Sequence, residues 1–184
     1  DSKGNGAIVS PDSYKTSLIC VRAGSTMTME NGIVQLKGMK NGPSSSIQTQ
    51  GVLNIHDGEI VSDQAAITVI GPQANLTISG GSITGYDYAI SGNGSSGLGD
   101  TTITITGGTL KQTAKGGGAI YHPQAGTLNI SGDPVIEGDS GIQLCSGTGR
   151  VTNITGGMIR ATGTDQRDNK TGDGFIPDGA AISI

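Results

Sequence analysis

The sequence predicts an all-β protein with the fold of a right-handed parallel β-helix, a solenoid in which short strands stack in successive rungs. Three observations point to this fold. A motif with aliphatic residues at fixed positions recurs about every 25 residues, a period typical of solenoid repeats. Within each motif apolar and polar residues alternate, which indicates short strands with two different faces. Gly accounts for 33 of the 184 residues, and Gly suits the sharp turns between such strands.

The first motif has the pattern apolar-x-apolar-x-x-Gly-x-apolar, and its central apolar residue recurs after 26, 23, 27, 25 and 24 residues. One rung alone cannot bury such a residue, so we predict that stacked rungs bury all of them in one column. Every copy except the fifth carries Gly at the sixth position, where the fifth has Asp133. The central residues are Met29, Ile55, Ile78, Ile105, Ile130 and Ile154.

A second motif, a small residue followed by an aliphatic one, alternates with the first along the whole chain. Its copies are Ser17-Leu18, Ser46-Ile47, Ala66-Ile67, Ala89-Ile90, Ala119-Ile120, Gly141-Ile142 and Ala181-Ile182. The alternation of the two motifs predicts about six to seven rungs of ~20–30 residues each. At ~4.8 Å per rung the body is about 30 Å long.

The motifs divide the chain into a short N-terminal part and the β-helix. We assign residues 17–184 to the β-helix, with a loop insertion at 163–179, and residues 1–16 to an N-terminal cap or a partial rung. The chain starts at Asp1 and ends in an apolar, strand-like run at 180–184. We therefore expect it to be an excised or processed part of a longer polypeptide.

Composition excludes several classes of protein and partner. The low contents of aromatic (3%) and charged (14%) residues disfavour an ordinary globular enzyme with aromatic-rich pockets. Collagen is excluded because Gly shows no strict period of three. The net charge of −4, without a basic cluster, predicts that nucleic acid is not a partner. No apolar stretch approaches the ~20 residues that span a bilayer, so we predict no membrane insertion.

Three segments carry a family resemblance. The unit Leu-Thr-Ile-Ser-Gly-Gly-Ser-Ile at 76–83 resembles the repeat of right-handed parallel β-helices of the pectin-lyase-like type. More narrowly, residues 141–147 and 153–157 look like repeat regions of adhesin-like surface proteins of gut bacteria, and of related phage fibre or head-decoration proteins. The resemblance covers about 17–184. It is specific for the fold but not for function, because β-helices include lyases, hydrolases, adhesins and spacers.

The resemblance implies three functions. The first, which we favour, is a non-catalytic, rigid structural or adhesive segment of an extracellular protein on a bacterial cell surface, in contact with glycans or host-surface proteins. The second is a phage virion fibre or capsid-decoration protein, a homo-oligomer that attaches to a host surface. The third is a polysaccharide lyase or glycoside hydrolase. We expect no cofactor for this chain.

One cluster contains residue types that catalysis uses. β-helix polygalacturonases carry paired Asp residues on neighbouring rungs with a nearby His, and that series is not found in this sequence. The rung register places Glu30 near His56 and Asp57, with Glu59 beside them. A catalytic or metal-binding role is one interpretation, since paired carboxylates serve glycoside hydrolysis. A solvated face near a turn is the interpretation that we prefer, so we expect neither an active site nor a metal site.

Two further segments are candidate ligand contacts. Tyr86 and Tyr88 flank Asp87 at one turn, and in a chain with few aromatic residues this turn is the best single place for a sugar ring. The predicted insertion combines acidic and basic residues, namely Asp165, Arg167, Asp168 and Asp173. Their spacing matches no calcium motif, and the mixed charges fit an exposed loop or a contact with a partner.

The two cysteines fall in rungs far apart. Cys20 lies in the first rung and Cys145 in the sixth, which separates them by about 24 Å at the usual strand spacing. A disulfide requires Cα atoms within ~7 Å, so we predict two free thiols. Alternation after Leu18 predicts that Cys20 points into the core.

A polar column precedes the central apolar residues. It contains Thr28, Asn54, Thr77, Thr104, Asn129 and Asn153. Such a face resembles the Thr arrays of ice-binding solenoids, but Thr and Asn also suit exposed solenoid strands, where stacked side chains hydrogen-bond one another. We prefer the second interpretation, because Glu30 and His56 interrupt the array.

Overall fold

The computed structural model describes residues 6–12, 15–38, 44–95, 97–145, 147–164 and 179–183. These residues form strands connected by turns, with no helix among them. The strands build a parallel β-solenoid of about six turns, which confirms the predicted all-β fold class. In the described part of the chain, no helix is long and apolar enough to cross a membrane.

Short strands follow one another along the whole described chain. In chain order they are β1 (Ala7–Val9), β2 (Ile19–Val21), β3 (Thr26–Met29), β4 (Ile33–Leu36), β5 (Ser45–Thr49), β6 (Val52–Ile55), β7 (Glu59–Ser62), β8 (Ala65–Val69), β9 (Asn75–Ile78), β10 (Ser82–Gly85), β11 (Ile90–Ser91), β12 (Thr101–Ile105), β13 (Thr109–Gln112), β14 (Gly118–His122), β15 (Gly126–Ile130), β16 (Val135–Gly138), β17 (Ser140–Leu144), β18 (Arg150–Ile154), β19 (Met158–Ala161) and β20 (Ile182–Ser183).

Every third strand belongs to the same sheet, so one rung contributes one strand to each of three sheets. Sheet 1 runs β1-β4-β7-β10-β13-β16-β19, sheet 2 runs β2-β5-β8-β11-β14-β17-β20, and sheet 3 runs from β3 through β6, β9, β12 and β15 to β18. Each neighbouring pair is parallel, including β1 with β4, so residues 7–9 extend sheet 1. The repeat therefore produces strands that hydrogen-bond along the solenoid axis rather than within a rung.

The predicted aliphatic column is present in sheet 3. The strand pairs align Met29, Ile55, Ile78, Ile105, Ile130 and Ile154 one above another. All are buried except Ile154, which lies on the last strand of the sheet and is 39% exposed. Two similar columns line the interior from sheets 1 and 2, and the three columns together form the core.

The first rung differs from prediction by one residue. The structure pairs Ile19 with Ile47, so the aliphatic residue of the second motif in this rung is Ile19 and not Leu18. Side chains alternate between faces with a period of two, and a shift of one residue therefore reverses the direction of the next side chain. Cys20 is exposed as a result, and its predicted place in the core is wrong. Cys20 and Cys145 are not joined to each other.

The repeated Gly of the first motif forms the turn from sheet 3 to sheet 1. Gly81, for example, has a φ of 83°, in the left-handed region that disfavours side chains. A Cβ at Gly81 would also lie 2.8 Å from the carbonyl oxygen of Gly58 in the preceding rung. In the fifth copy, where Asp133 replaces this Gly, the positive φ of 68° occurs at Gly132, one residue earlier.

The outward polar column is aligned as predicted and forms hydrogen bonds between rungs. Asn54 Nδ2 donates to Thr28 Oγ1 at 3.4 Å. Near the other end, Asn153 Nδ2 donates to Asn129 Oδ1 at 2.9 Å. These contacts favour the interpretation of this column as a side-chain ladder that supports stacking.

Replacing an aliphatic residue in the middle of the column should destabilise the protein far more than replacing one at its end. We expect Ile105→Ala to lower the free energy of unfolding by roughly 2–5 kcal/mol, because it leaves a cavity between rungs. Ile154→Ala is the matched control and should cost less than about 1 kcal/mol, because this side chain is already partly in solvent. Urea denaturation followed by circular dichroism measures both, and equal losses would contradict the stacked core.

Candidate functional site

A groove of about 520 Å³ lies at the turns that connect sheet 1 to sheet 2 in the fourth and fifth rungs. The predicted residues Tyr86, Asp87 and Tyr88 all line it. The fifth rung contributes the other lining residues, which are Ala114, Lys115, Gly116 and Gly117. They meet the tyrosines because the two turns occupy the same position in successive rungs.

The turn with the tyrosines is held by the rungs on both sides. The Tyr86 amide donates to the carbonyl oxygens of Ser62, at 2.9 Å, and of Gln64, at 2.8 Å. The Ala114 amide, one rung later, donates to the Tyr86 carbonyl oxygen at 2.8 Å. The Ala66 amide donates to the Tyr88 carbonyl oxygen at 2.9 Å. These backbone hydrogen bonds fix the main chain of this segment.

A buried glutamine beneath the groove joins three successive rungs. Gln112 is 4% exposed, and its Nε2 donates to the carbonyl oxygens of Tyr86 and Ala114. Its Oε1 accepts a hydrogen bond from the Asp139 amide at 2.9 Å. A Cβ at Gly138 would lie 3.1 Å from that oxygen, so glycine leaves room for the carboxamide. Gln112 is a positioning residue that the sequence did not reveal, since polar residues on strands usually face solvent.

The fifth-rung turn approaches the tyrosine turn closely. Gly116 donates its amide hydrogen to the carboxylate of Asp139. A Cβ at Gly117 would lie 2.5 Å from the carbonyl oxygen of Asp87, closer than Cβ atoms come to other heavy atoms, so a side chain at this position would push the two turns apart. The glycines therefore keep this part of the groove narrow and free of side chains.

Aromatic stacking fixes one side of the groove. The rings of Tyr88 and Tyr121 stack with centroids 5.3 Å apart and planes 26° apart. Tyr121 belongs to β14 and pairs with Ser91 of β11. The stack connects the groove to the outer face of sheet 2, and it restricts the Tyr88 ring to one position.

The groove contains one acidic and one basic side chain. Burial raises the pKa of the Asp87 carboxyl above its usual value of 3.8, because partial removal from water disfavours the charged form. Lys115 lines the same groove and is exposed. A carboxylate with reduced hydration favours contact with hydrogen-bond donors.

The predicted catalytic cluster is brought together only in part. Glu30 Oε2 lies 2.9 Å from His56 Nδ1, and the two side chains are 74% and 48% exposed. Asp57 accepts a hydrogen bond from the adjacent Gly58 amide, and Glu59 is exposed at the start of β7. Glu30 and His56 therefore form a contact on the solvent-exposed surface.

The second group of predicted ligand contacts, Asp165, Arg167, Asp168 and Asp173, lies outside the described residues. Within the described ranges, no group of three or more His, Cys, Asp or Glu side chains is arranged to hold a metal ion.

A second polar cluster, absent from the sequence prediction, lies at the corner between sheets 2 and 3. His122 is 2% exposed, and its Nε2 lies 3.3 Å from Thr101 Oγ1. Gln124 Nε2 donates to the same hydroxyl at 3.3 Å and to the Val69 carbonyl oxygen at 3.0 Å. The Arg150 guanidinium donates to the Pro123 carbonyl oxygen at 3.0 and 2.8 Å. The cluster connects consecutive rungs through side chains, so it supports the corner.

Burial is the main reason why the pKa of His122 is lowered from 6.5 to about 4. A backbone hydrogen bond opposes this shift, and the positive charge of Arg150 adds to it. His122 is therefore neutral at physiological pH and serves as a buried hydrogen-bonding residue.

Replacing Asp87 by Asn should stabilise the protein at neutral pH. The folded state holds the carboxyl proton more tightly than the unfolded state, so ionisation of Asp87 reduces stability as the pH rises through the raised pKa. We expect Asp87→Asn to raise the Tm at pH 7, and the gain to disappear below pH 3.8, where both states of the wild type are protonated. Asp133→Asn, in an exposed turn, is the control and should leave the Tm at pH 7 nearly unchanged.

His122 should make the protein less stable in mild acid. The unfolded state protonates this side chain near pH 6.5 and the folded state only near pH 4. The stabilisation of the folded state by neutral His122 is therefore complete above pH 6.5 and is lost as the pH falls from 6.5 to 4. The full loss amounts to about 3 kcal/mol. We expect His122→Gln to remove this part of the pH dependence in urea denaturation measured at pH 7 and pH 4.5. An unchanged slope between the two pH values would show that other groups cause it.

Comparisons with known proteins found no relative of this chain. No protein-family model matches it, and no curated protein or solved structure is significantly similar to it. The parallel β-solenoid therefore rests on the structure itself. The pectin-lyase-like, adhesin and phage assignments rest on the sequence resemblance alone.

Proposed function

We propose that the chain is a rigid, non-catalytic structural and adhesive segment of an extracellular protein on a bacterial cell surface. The observation that carries this proposal is the uninterrupted core. Central residues of the columns, such as Ile60, Ile67 and Ile78, are 0% exposed, and each column continues from rung to rung. Bending the rod would open contacts between rungs and expose these side chains to water, which costs free energy in proportion to the apolar area.

The polar residues of the surface support a passive role. The carboxylate and imidazole of Glu30 and His56 are paired with each other in solvent, and other side chains outside the core form ladders. Lys111 and Arg160, for example, both contact Glu137, at 3.5 and 3.2 Å, across three successive rungs of sheet 1. Such contacts support stacking, and ordered polar side chains on a rigid scaffold suit recognition of glycans or host proteins.

A phage virion fibre or capsid-decoration protein is the alternative, and one observation favours it. Large hydrophobic side chains that are exposed in the described part of the chain occur near the two ends of the stack. They are Ile8, Val9 and Ile33 at one end and Val151, Ile154, Met158 and Ile182 at the other. In a fibre of several copies, a neighbouring copy would cover these ends. Light scattering distinguishes the two functions, since a fibre subunit should form a defined oligomer and a surface segment should be monomeric.

Adhesion without catalysis is tested directly with the intact chain coupled to beads. We expect the beads to adhere to mucin-coated surfaces or epithelial cell layers, and multivalent display should raise retention over free protein by about a hundredfold. Incubation with the bound glycans should release neither new reducing ends nor unsaturated products.

Two results would contradict the proposal. Absence of adhesion to both surfaces removes the adhesive role. If the protein cleaves a polysaccharide and the substitution Glu30→Gln abolishes this cleavage, the protein is an enzyme instead. Asp133→Asn serves as the matched control for the second result, because it neutralises an exposed carboxylate in a turn three rungs away from His56.

A further inference from the structure

We propose that the groove between Tyr86–Tyr88 and residues 114–117 binds one neutral sugar ring of a glycan. This inference rests on the proposed adhesive function and names the ligand class of one site on it. The groove volume of about 520 Å³ is within the range of ~300–1,000 Å³ that is typical of small-molecule sites.

The groove carries one acidic and one basic side chain. Asp87 disfavours an anion, and Lys115, which lines the same groove, disfavours a cation. A neutral polyhydroxyl ligand suits both groups, because one hydroxyl can donate to the carboxylate while another accepts from the ammonium group. Ligands with several hydroxyls on one compact ring meet this requirement, which favours a saccharide over an amine or a carboxylic acid.

The aromatic residues provide the apolar part of the contact. Tyr86 and Tyr88 are half-buried at the groove, and each combines an apolar ring with a polar hydroxyl, a composition that is enriched at binding surfaces. The C–H face of a pyranose can pack on such a ring while its hydroxyls reach Asp87. The stacking of Tyr88 on Tyr121 means that little side-chain entropy is lost when the ligand binds.

The floor of the groove is rigid before any ligand binds. Gln112 fixes the carbonyl oxygens of Tyr86 and Ala114 and the amide of Asp139 at the same time. Gly117 permits the close approach of the two turns. Preorganisation of this kind raises affinity mainly by reducing the ordering cost of binding. By contrast, the outward Thr and Asn ladder lies on strands and forms no such concave site.

The experiment is an NMR titration of the complete chain with methyl glycosides of glucose, galactose, mannose and N-acetylglucosamine. We expect at least one of them to shift the amide signals of residues 86–88 and 114–117, with a Kd in the range of about 1–10 mM, as for a single shallow subsite. Choline, as a cationic probe, and methyl glucuronide, as an anionic probe, should produce no shifts there at the same concentrations.

Variants assign the binding to the groove. Asp87→Asn and Tyr88→Ala should each weaken binding by about tenfold, a loss that one hydrogen bond to a charged group or one aromatic contact accounts for. Lys115→Ala removes an exposed side chain, so it tests the same groove even if Tyr88→Ala fails to fold. Asp133→Asn is the matched control and should bind like the wild type.

Absence of shifts for all four glycosides, shifts confined to other residues, or stronger binding of choline or glucuronide would each overturn the sugar site. The failure of this inference is distinguishable from the failure of the proposed function. If beads that carry the Asp87→Asn or the Lys115→Ala variant adhere to mucin as strongly as beads that carry the wild type, the protein is adhesive but its adhesion does not use the groove. If wild-type beads do not adhere at all, the proposed function itself is wrong.

Discussion

Contact between aliphatic side chains of successive rungs is the interaction on which the rest of this structure depends. Strands of two to five residues are too short to be stable alone, and each rung buries its aliphatic residues only against the rungs above and below it. The column through Ile78 and Ile105 therefore fixes the register of sheet 3. Since the side-chain period is two, this register also decides which residues face solvent.

The same stacking brings residues of neighbouring rungs together at the corners, where the strands end. The groove arises because the turn with Tyr86 and the turn with Lys115 occupy one corner in successive rungs. Their backbones are connected by Gln112, and glycines permit their close approach. Binding surfaces of such a scaffold can therefore vary at the turns while the aliphatic columns maintain the fold.

Burial separates the polar groups discussed above into three kinds. Glu30 and His56 remain in water, where solvent competes for their hydrogen bond, so the contact contributes little. His122 and Gln112 are enclosed, so each needs hydrogen-bond partners and responds to changes that remove them. Asp87 is intermediate, since its carboxyl is partly desolvated yet still borders an open groove. This intermediate position is the physical basis on which we propose Asp87 as a ligand contact.

The sequence by itself determined the all-β solenoid, the central column and the outward ladder, because a period of about 25 residues with internal alternation is a local pattern that stacking simply repeats. It also indicated Tyr86, Asp87 and Tyr88, since aromatic residues are rare in this chain. Only the tertiary structure decided that Cys20 points outward and that Lys115 lines the same groove as Tyr86 and Tyr88. It also decided that Gln112 and His122 are buried. These features depend on how turns of unequal length align between rungs, and one residue of register reverses the direction of a side chain.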